Sequence, residues 1–213
     1  MSGVGSTEPP RSAGAGSAGA GAGTSYEVIA IGASWGGLQA VGTLLAGLSA
    51  DIDATVVVAQ HRGPESSPGL LEAILQRSAK RPVSAPDDKE PLERGHVYVA
   101  PADYHLLVED GHFALSTESR VQHARPSIDV LFESIANAYR ERAIGIVLTG
   151  LNQDGAAGLA AIKEQGGVAI VQDPSSAERR AMPDAALAAT SADAVLPLAE
   201  IPGFLHSLHL GAM

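Results

Sequence analysis

The sequence has no cysteine, and that absence removes disulfide frameworks, thiolate zinc sites and cysteine nucleophiles together. A reducing compartment fits it. Cations are scarce: 14 Lys and Arg stand against 24 Asp and Glu, for a formal net charge of -10. Binding along a phosphate backbone needs a basic stripe that this chain does not supply, so nucleic acid is not an expected partner. No apolar stretch approaches the roughly 20 residues of a membrane-spanning helix, and the amino terminus lacks the basic region and apolar block of a signal peptide. Membrane insertion is therefore not expected, and the cytoplasm is the expected setting. Internal repeats are also missing, which argues against a solenoid or array.

What is present is enough for one substantial core: 213 residues, 45% of them hydrophobic. Residues 1–24, including "AGAGSAGAGAG", offer no periodic apolar face and read as a disordered tail or linker. Residues 25–213 read as a single domain. Within it "YEVIAI" (26–31), "ATVVVAQ" (54–60), "AIGIVLTG" (143–150) and "GVAIVQD" (167–173) are short apolar runs of the kind that form strands buried on both faces. Helical patterns alternate with them at 37–48, 69–80, 127–142, 156–165 and 182–190. The expected class is α/β, a doubly wound, mostly parallel sheet with helices on both faces. Asp110-Gly111, between two alternating runs in "HLLVEDGHFALS" (105–116), predicts an antiparallel β-hairpin decorating that sheet.

Ligands in such folds sit at the carboxyl ends of the strands. The polar residues there are Ser34, Gln60-His61, Thr149 to Asp154 and Gln172-Asp173. The loop "IGASWGG" (31–37) admits three readings. A dinucleotide site predicts an acidic residue ending the second strand, but that strand ends in Gln60-His61, and the glycine spacing is GxxxGG rather than GxGxxG. An α/β-hydrolase elbow fits GxSxG at Gly32 to Gly36, but that family places the elbow mid-sheet and orders its triad Ser, acid, His. A triad of Ser34, His61 and Asp154 in the order Ser, His, Asp draws one group from each of three strand ends. The helix opening after Ser34 adds unpaired N–H groups suited to an oxyanion. Taken singly, Ser34 and Asp154 read as helix N-caps and His61 as a solvated strand-end histidine. Their joint placement favours the triad.

The chain resembles the catalytic domain of the chemotaxis protein-glutamate methylesterases, the CheB family, from about Val28 to Leu198. The resemblance is carried by "IGASWGG" (31–37), "VVAQHRGP" (57–64), "VYVAPADYHLLV" (97–108), "RPSIDVLFESIA" (125–136), "GIVLTGLNQDGAAGL" (145–159) and "GGVAIVQDPSSAERRAMPDAAL" (166–187). It implies hydrolysis of glutamate γ-methyl esters on chemoreceptor helices, with release of methanol, and deamidation of receptor glutamines. It also implies Ser34 as nucleophile, His61 as general base and acid, Asp154 as the orienting carboxylate, and the backbone N–H groups of Trp35 and Leu151 as oxyanion donors. No cofactor and no metal are implied.

Three departures from the family pattern stand out. Trp35 replaces a threonine beside the nucleophile, where an aromatic lines or narrows the substrate path. Asn152 replaces a glycine in the turn before Asp154, as the non-glycine residue that best tolerates positive φ. No receiver domain precedes residue 25, so the chain is either a stand-alone esterase or a fragment that begins in the interdomain linker. Arg62 is a candidate substrate contact that attracts an acidic receptor surface, or else a solvated loop arginine. Arg125 reads as structural, and His105 and His112, with no third ligand, do not make a metal site. The competing class is a non-catalytic binding module that keeps the fold.

Overall fold

The computed structural model describes residues 26–211 together with residue 1, so the expectation for the tail at 1–24 lies outside the described residues but for Met1. Seven strands, β1 (Val28–Ala33), β2 (Thr55–Gln60), β3 (Val83–Ser84), β4 (Val97–Val99), β7 (Ala143–Val147), β8 (Val168–Gln172) and β9 (Ala194–Leu196), form one parallel sheet in the order β3-β4-β2-β1-β7-β8-β9. The remaining two, β5 (His105–Glu109) and β6 (His112–Ser116), pair antiparallel as the predicted hairpin. They make a sheet of their own and do not extend the main one.

The helices are α1 (Gly37–Gly47), α2 (Leu70–Gln76), α3 (Ile128–Tyr139), α4 (Ala156–Glu164), α5 (Ala181–Ala189) and α6 (Ile201–Gly211). They divide between the two sheet faces because β1 is apolar on both sides. Val28 and Ala30 point into a core shared with Phe132, Ile135, Leu159 and Ala186 of α3, α4 and α5. Ile29 and Ile31 point into a second core with Leu44, Leu75 and Leu205 of α1, α2 and α6. The alternation is the period-2 side-chain geometry of a strand. The hairpin buries Leu106, Val108 and Phe113 in the first of these cores, which is why it packs beside α3 instead of joining the sheet edge.

Strand order reverses direction at β1: β2, β4 and β3 spread to one side, and β7, β8 and β9 to the other. A doubly wound sheet opens its binding crevice at such a switch point. The segments that follow β2, β1 and β7 carry His61, Ser34 and Asp154, and these three strands are immediate neighbours with β1 in the middle.

Candidate active site

Ser34 follows β1 directly and stays tied to both neighbours of that strand. Its N–H donates to Thr149 O at 3.0 Å, and the N–H of His61 donates to Ala33 O at 3.0 Å. The loop then turns through Gly36, at φ 76, into α1, whose positive end lies behind the serine. Gln60, buried at the end of β2, clasps the two functional residues. Its side-chain Nε2 donates to Ser34 O at 2.8 Å and to His61 O at 3.0 Å. Gly37 is needed for that clasp, since a Cβ there would stand 2.1 Å from Gln60 Oε1. Thr149 steadies the loop from the other side, its hydroxyl donating to Trp35 O at 3.0 Å.

Asp154, 1% exposed, is held by four donors. They are the Ser127 hydroxyl at 2.8 Å, the N–H groups of Ile128 at 2.7 Å and Asp129 at 3.0 Å, and the His61 ring at 2.7 Å. Burial alone would raise its pKa, but donation from His61 and from the backbone N–H groups of Asp129 and Ile128 outweighs that and holds the carboxyl below its ordinary value. An ionised carboxylate only accepts, so the His61 nitrogen it meets, Nε2, carries the proton. Nδ1 is thereby the basic nitrogen of the neutral ring. The Asn152 side-chain Nδ2 stands 3.4 Å from it.

Asp129, in the first turn of α3, accepts in turn from the N–H groups of Gly155 and Gly158 at 2.8 Å each, and from Gln122 Nε2 at 2.7 Å. Burial, with the neighbouring Asp154 charge adding to it, pushes its carboxyl up to about 6 against the lowering effect of those N–H groups.

The structure thus joins His61 to Asp154 directly and Ser34 to His61 through Gln60. Among the described residues the Ser34 hydroxyl makes no hydrogen bond, and Ser34 is one of the residues lining a groove of about 720 Å³ that runs between α1 and α2 past Leu38, Gly42 and Ile74. The backbone N–H groups of Trp35 and Leu151 have no acceptor among the described residues either. The turn carrying Leu151 abuts the serine: a Cβ on Gly150 would come within 2.9 Å of Ser34 Cβ and collide with Met182. The Trp35 indole, 54% exposed, is turned sideways at the rim, its Nε1–H donating to Glu178 at 2.9 Å and its ring facing the Arg179 guanidinium at 5.7 Å.

Two expectations need correcting. Arg62 is not a solvated loop arginine, although it shares the lining of two clefts with His61. Its side chain is 10% exposed, and its Nη2 donates to Ala100 O at 2.7 Å and to Glu72 at 3.3 Å. Asn152 is not used for positive φ, which falls at Gly155 instead (φ 98). Asn152 acts through its side chain, which accepts from Asp154 N at 3.3 Å and approaches His61.

Arg125 is structural, donating to Asp103 and to the carbonyls of Thr117 and Glu118. His105 accepts from Ser127 N and engages Ser119 O, while His112 engages Asp110 O. No metal-holding cluster occurs among the described residues.

Sequence reasoning placed Gln60 at the binding edge without giving it a role, and missed Asp129 altogether. The signal for the first was an amide closing an otherwise apolar strand. For the second it was an acidic residue two places after a serine N-cap.

A family model described as CheB methylesterase matches residues 29–205. A Leptospira interrogans protein (serogroup Icterohaemorrhagiae, serovar copenhageni), named putative protein-glutamate methylesterase/protein-glutamine glutaminase, is 46% identical over 178 residues, covering 83% of this chain and 92% of that protein. A Hahella chejuensis protein named protein-glutamate methylesterase/protein-glutamine glutaminase 1 is 42% identical over 182 residues, 84% of this chain and 50% of its own length. The chain therefore spans about half of that relative. The crystal structure of the Thermotoga maritima CheB methylesterase catalytic domain matches with a TM-score of 0.79 at 30% identity, over 86% of this chain and 99% of that domain.

Proposed function

The chain belongs to the CheB methylesterase family, and on that premise we propose that it is a protein-glutamate methylesterase working through Ser34, His61 and Asp154. The observation that carries the reading is the buried Asp154 carboxylate accepting from His61 Nε2 at 2.7 Å, one strand away from a serine that opens onto a groove. It leaves His61 a base at Nδ1, suited to take the Ser34 proton as Oγ attacks the γ-carbonyl of a glutamyl methyl ester. The developing oxyanion is received by the N–H groups of Trp35 and Leu151, backed by the amino end of α1. The imidazolium then protonates the departing methoxide, methanol leaves, and water, deprotonated by the same ring, releases the glutamate from Ser34. An amide passes through the same steps with ammonia as leaving group, so glutamine deamidation is included.

The proposed substrates are the cytoplasmic helices of methyl-accepting chemoreceptors, which places the reaction in the cytoplasm. The test is methanol release from a methylated chemoreceptor fragment by the wild type and Ser34→Ala. Release that disappears in the variant is expected. Equal release from both proteins, or none from a folded wild type, defeats the reading.

A further inference from the structure

The amino ends of α3 and α4 face each other, and each is met by a carboxylate carried beside the other helix. Asp154, next to the Gly155 N-cap of α4, accepts from Ile128 and Asp129 at the start of α3. Asp129, in the first turn of α3, accepts from Gly155 and Gly158 at the start of α4. Free N–H groups and the positive dipole end of a helix both favour a carboxylate, so the exchange satisfies both helix starts at once. Only one of the two carboxylates touches His61.

We propose that Asp129 is a positioning residue: it locks the starts of α3 and α4 together and so fixes Asp154, and through it the tautomer and orientation of His61. This rests on the esterase reading above.

The geometry leaves little slack. Asp129 is 4% exposed, and a Cβ on Gly158 would stand 3.0 Å from Asp129 backbone, so the two helix starts are in contact already. Oδ1 of Asp129 takes both α4 N–H groups, while Oδ2 takes Gln122 of the 121–124 turn, where Gln122 and His123 both adopt positive φ. The groups facing this pair are Asp154 and, beyond it, His61, with His105 accepting from Ser127 N on the hairpin side. Among the described residues no cation pairs with either carboxylate apart from His61 when it is protonated. The N–H groups therefore do the holding. Remove the Asp129 acceptor and the Gly155 and Gly158 N–H groups lose their tie to α3, leaving the junction to the reverse tie from Asp154 alone.

The variants are Asp129→Ala, which removes the acceptor, and Asp129→Asn, whose amide oxygen still accepts from Gly155 and Gly158 while Gln122 turns its own amide to match. Two readouts are taken on the full chain: kcat and KM for ester hydrolysis, and the 15N resonances of the His61 ring, which report its tautomer. Asp129→Ala is expected to lower kcat about 10- to 100-fold with KM little changed, the size of a misplacement effect. It should also move the His61 ring from the single Nε2–H tautomer to a mixture. Asp129→Asn should restore both. A purely structural cap would lower melting temperature in Asp129→Ala without touching the His61 resonances, and that result overturns the proposal, as does a folded Asp129→Asn as impaired as alanine. Asp129→Ser replaces alanine under the same criteria if alanine does not fold. Should the wild type release no methanol, the esterase reading fails, while the ring resonances still decide the role of Asp129.

Discussion

On the β1–β2 side of the site, the backbones of Ser34 and His61 are held by neutral groups: neighbouring backbone carbonyls, the Gln60 amide and, through Trp35 O, the Thr149 hydroxyl. On the β7 side, Asp154 is held by helix N–H groups, a serine hydroxyl and an imidazole, with a second buried carboxylate behind it. The contrast follows from what each side must do. A nucleophilic hydroxyl needs geometry and an open approach, which neutral hydrogen bonds supply at any pH. The carboxylate must stay ionised while buried, which is costly unless several donors converge on it. Charge is thus confined to one half of the site, and the two halves should answer differently to mutation and to pH.

The sharpest break of the charged half is Asp154→Asn. It removes the group that keeps the proton on Nε2, and kcat should fall about 10³- to 10⁴-fold, as in other triads left with the wrong tautomer. Steady-state kinetics at several pH values check it. A loss under tenfold would mean that Asp154 does not set the ring.

On the neutral half the matching variant is Gln60→Ala, which strips the shared donor from Ser34 O and His61 O. It should cost about 1–3 kcal/mol of stability. Its kcat should fall about 10- to 100-fold, by the same factor across the pH range. Denaturant melts and a pH–rate series test this, and a factor that changes steeply with pH would erase the distinction between the halves.

The pH dependence of stability probes the charged half alone. With its folded value raised to about 6, Asp129 binds its proton more tightly in the folded than in the unfolded state. Its contribution therefore favours folding at low pH and is lost as pH rises from the ordinary carboxylate value through about 6. Asp154, depressed, works in the opposite sense, its stabilising contribution being lost as pH falls through its folded value. Melting temperatures of the wild type and Asp129→Asn from pH 4 to 8 should diverge, the wild type losing ground to the variant as pH rises. Parallel curves would count against a raised Asp129.

The smallest expected effect is at the border of the halves. Asn152→Gly removes the amide lying 3.4 Å from His61 Nδ1, and one weak competing hydrogen bond corresponds to a rise in kcat/KM of about 2- to 5-fold. A decrease would show that Asn152 orients the ring rather than competing for it.

Much of this was legible in the chain. Ser34, His61 and Asp154 each follow an apolar run, and a polar residue at that place in a parallel α/β sheet lies at its binding edge. The hairpin announced itself through Asp110-Gly111. Strands β3, β4 and β9, of two or three residues, were too short to show a period, and α6 follows the last recognised pattern as a short apolar tail. Arg62 looked solvated because it adjoins His61 in a loop, yet its guanidinium reaches the Glu72 carboxylate and the Ala100 carbonyl, 10 and 38 residues away, which no local pattern shows.

Local pattern was enough, then, to determine the elements, the class of sheet and the residues at its carboxyl edge, because burial on two faces and glycine turns leave their mark within a few neighbouring positions. The switch in strand order that sets β2, β1 and β7 side by side, the ring nitrogen that meets Asp154, the Gln60 clasp and the exchange between Asp129 and Asp154 were decided only in three dimensions. Each joins groups about 25 or more residues apart, and a hydrogen bond over that separation is specified by packing of whole helices and strands, which no short stretch of sequence contains.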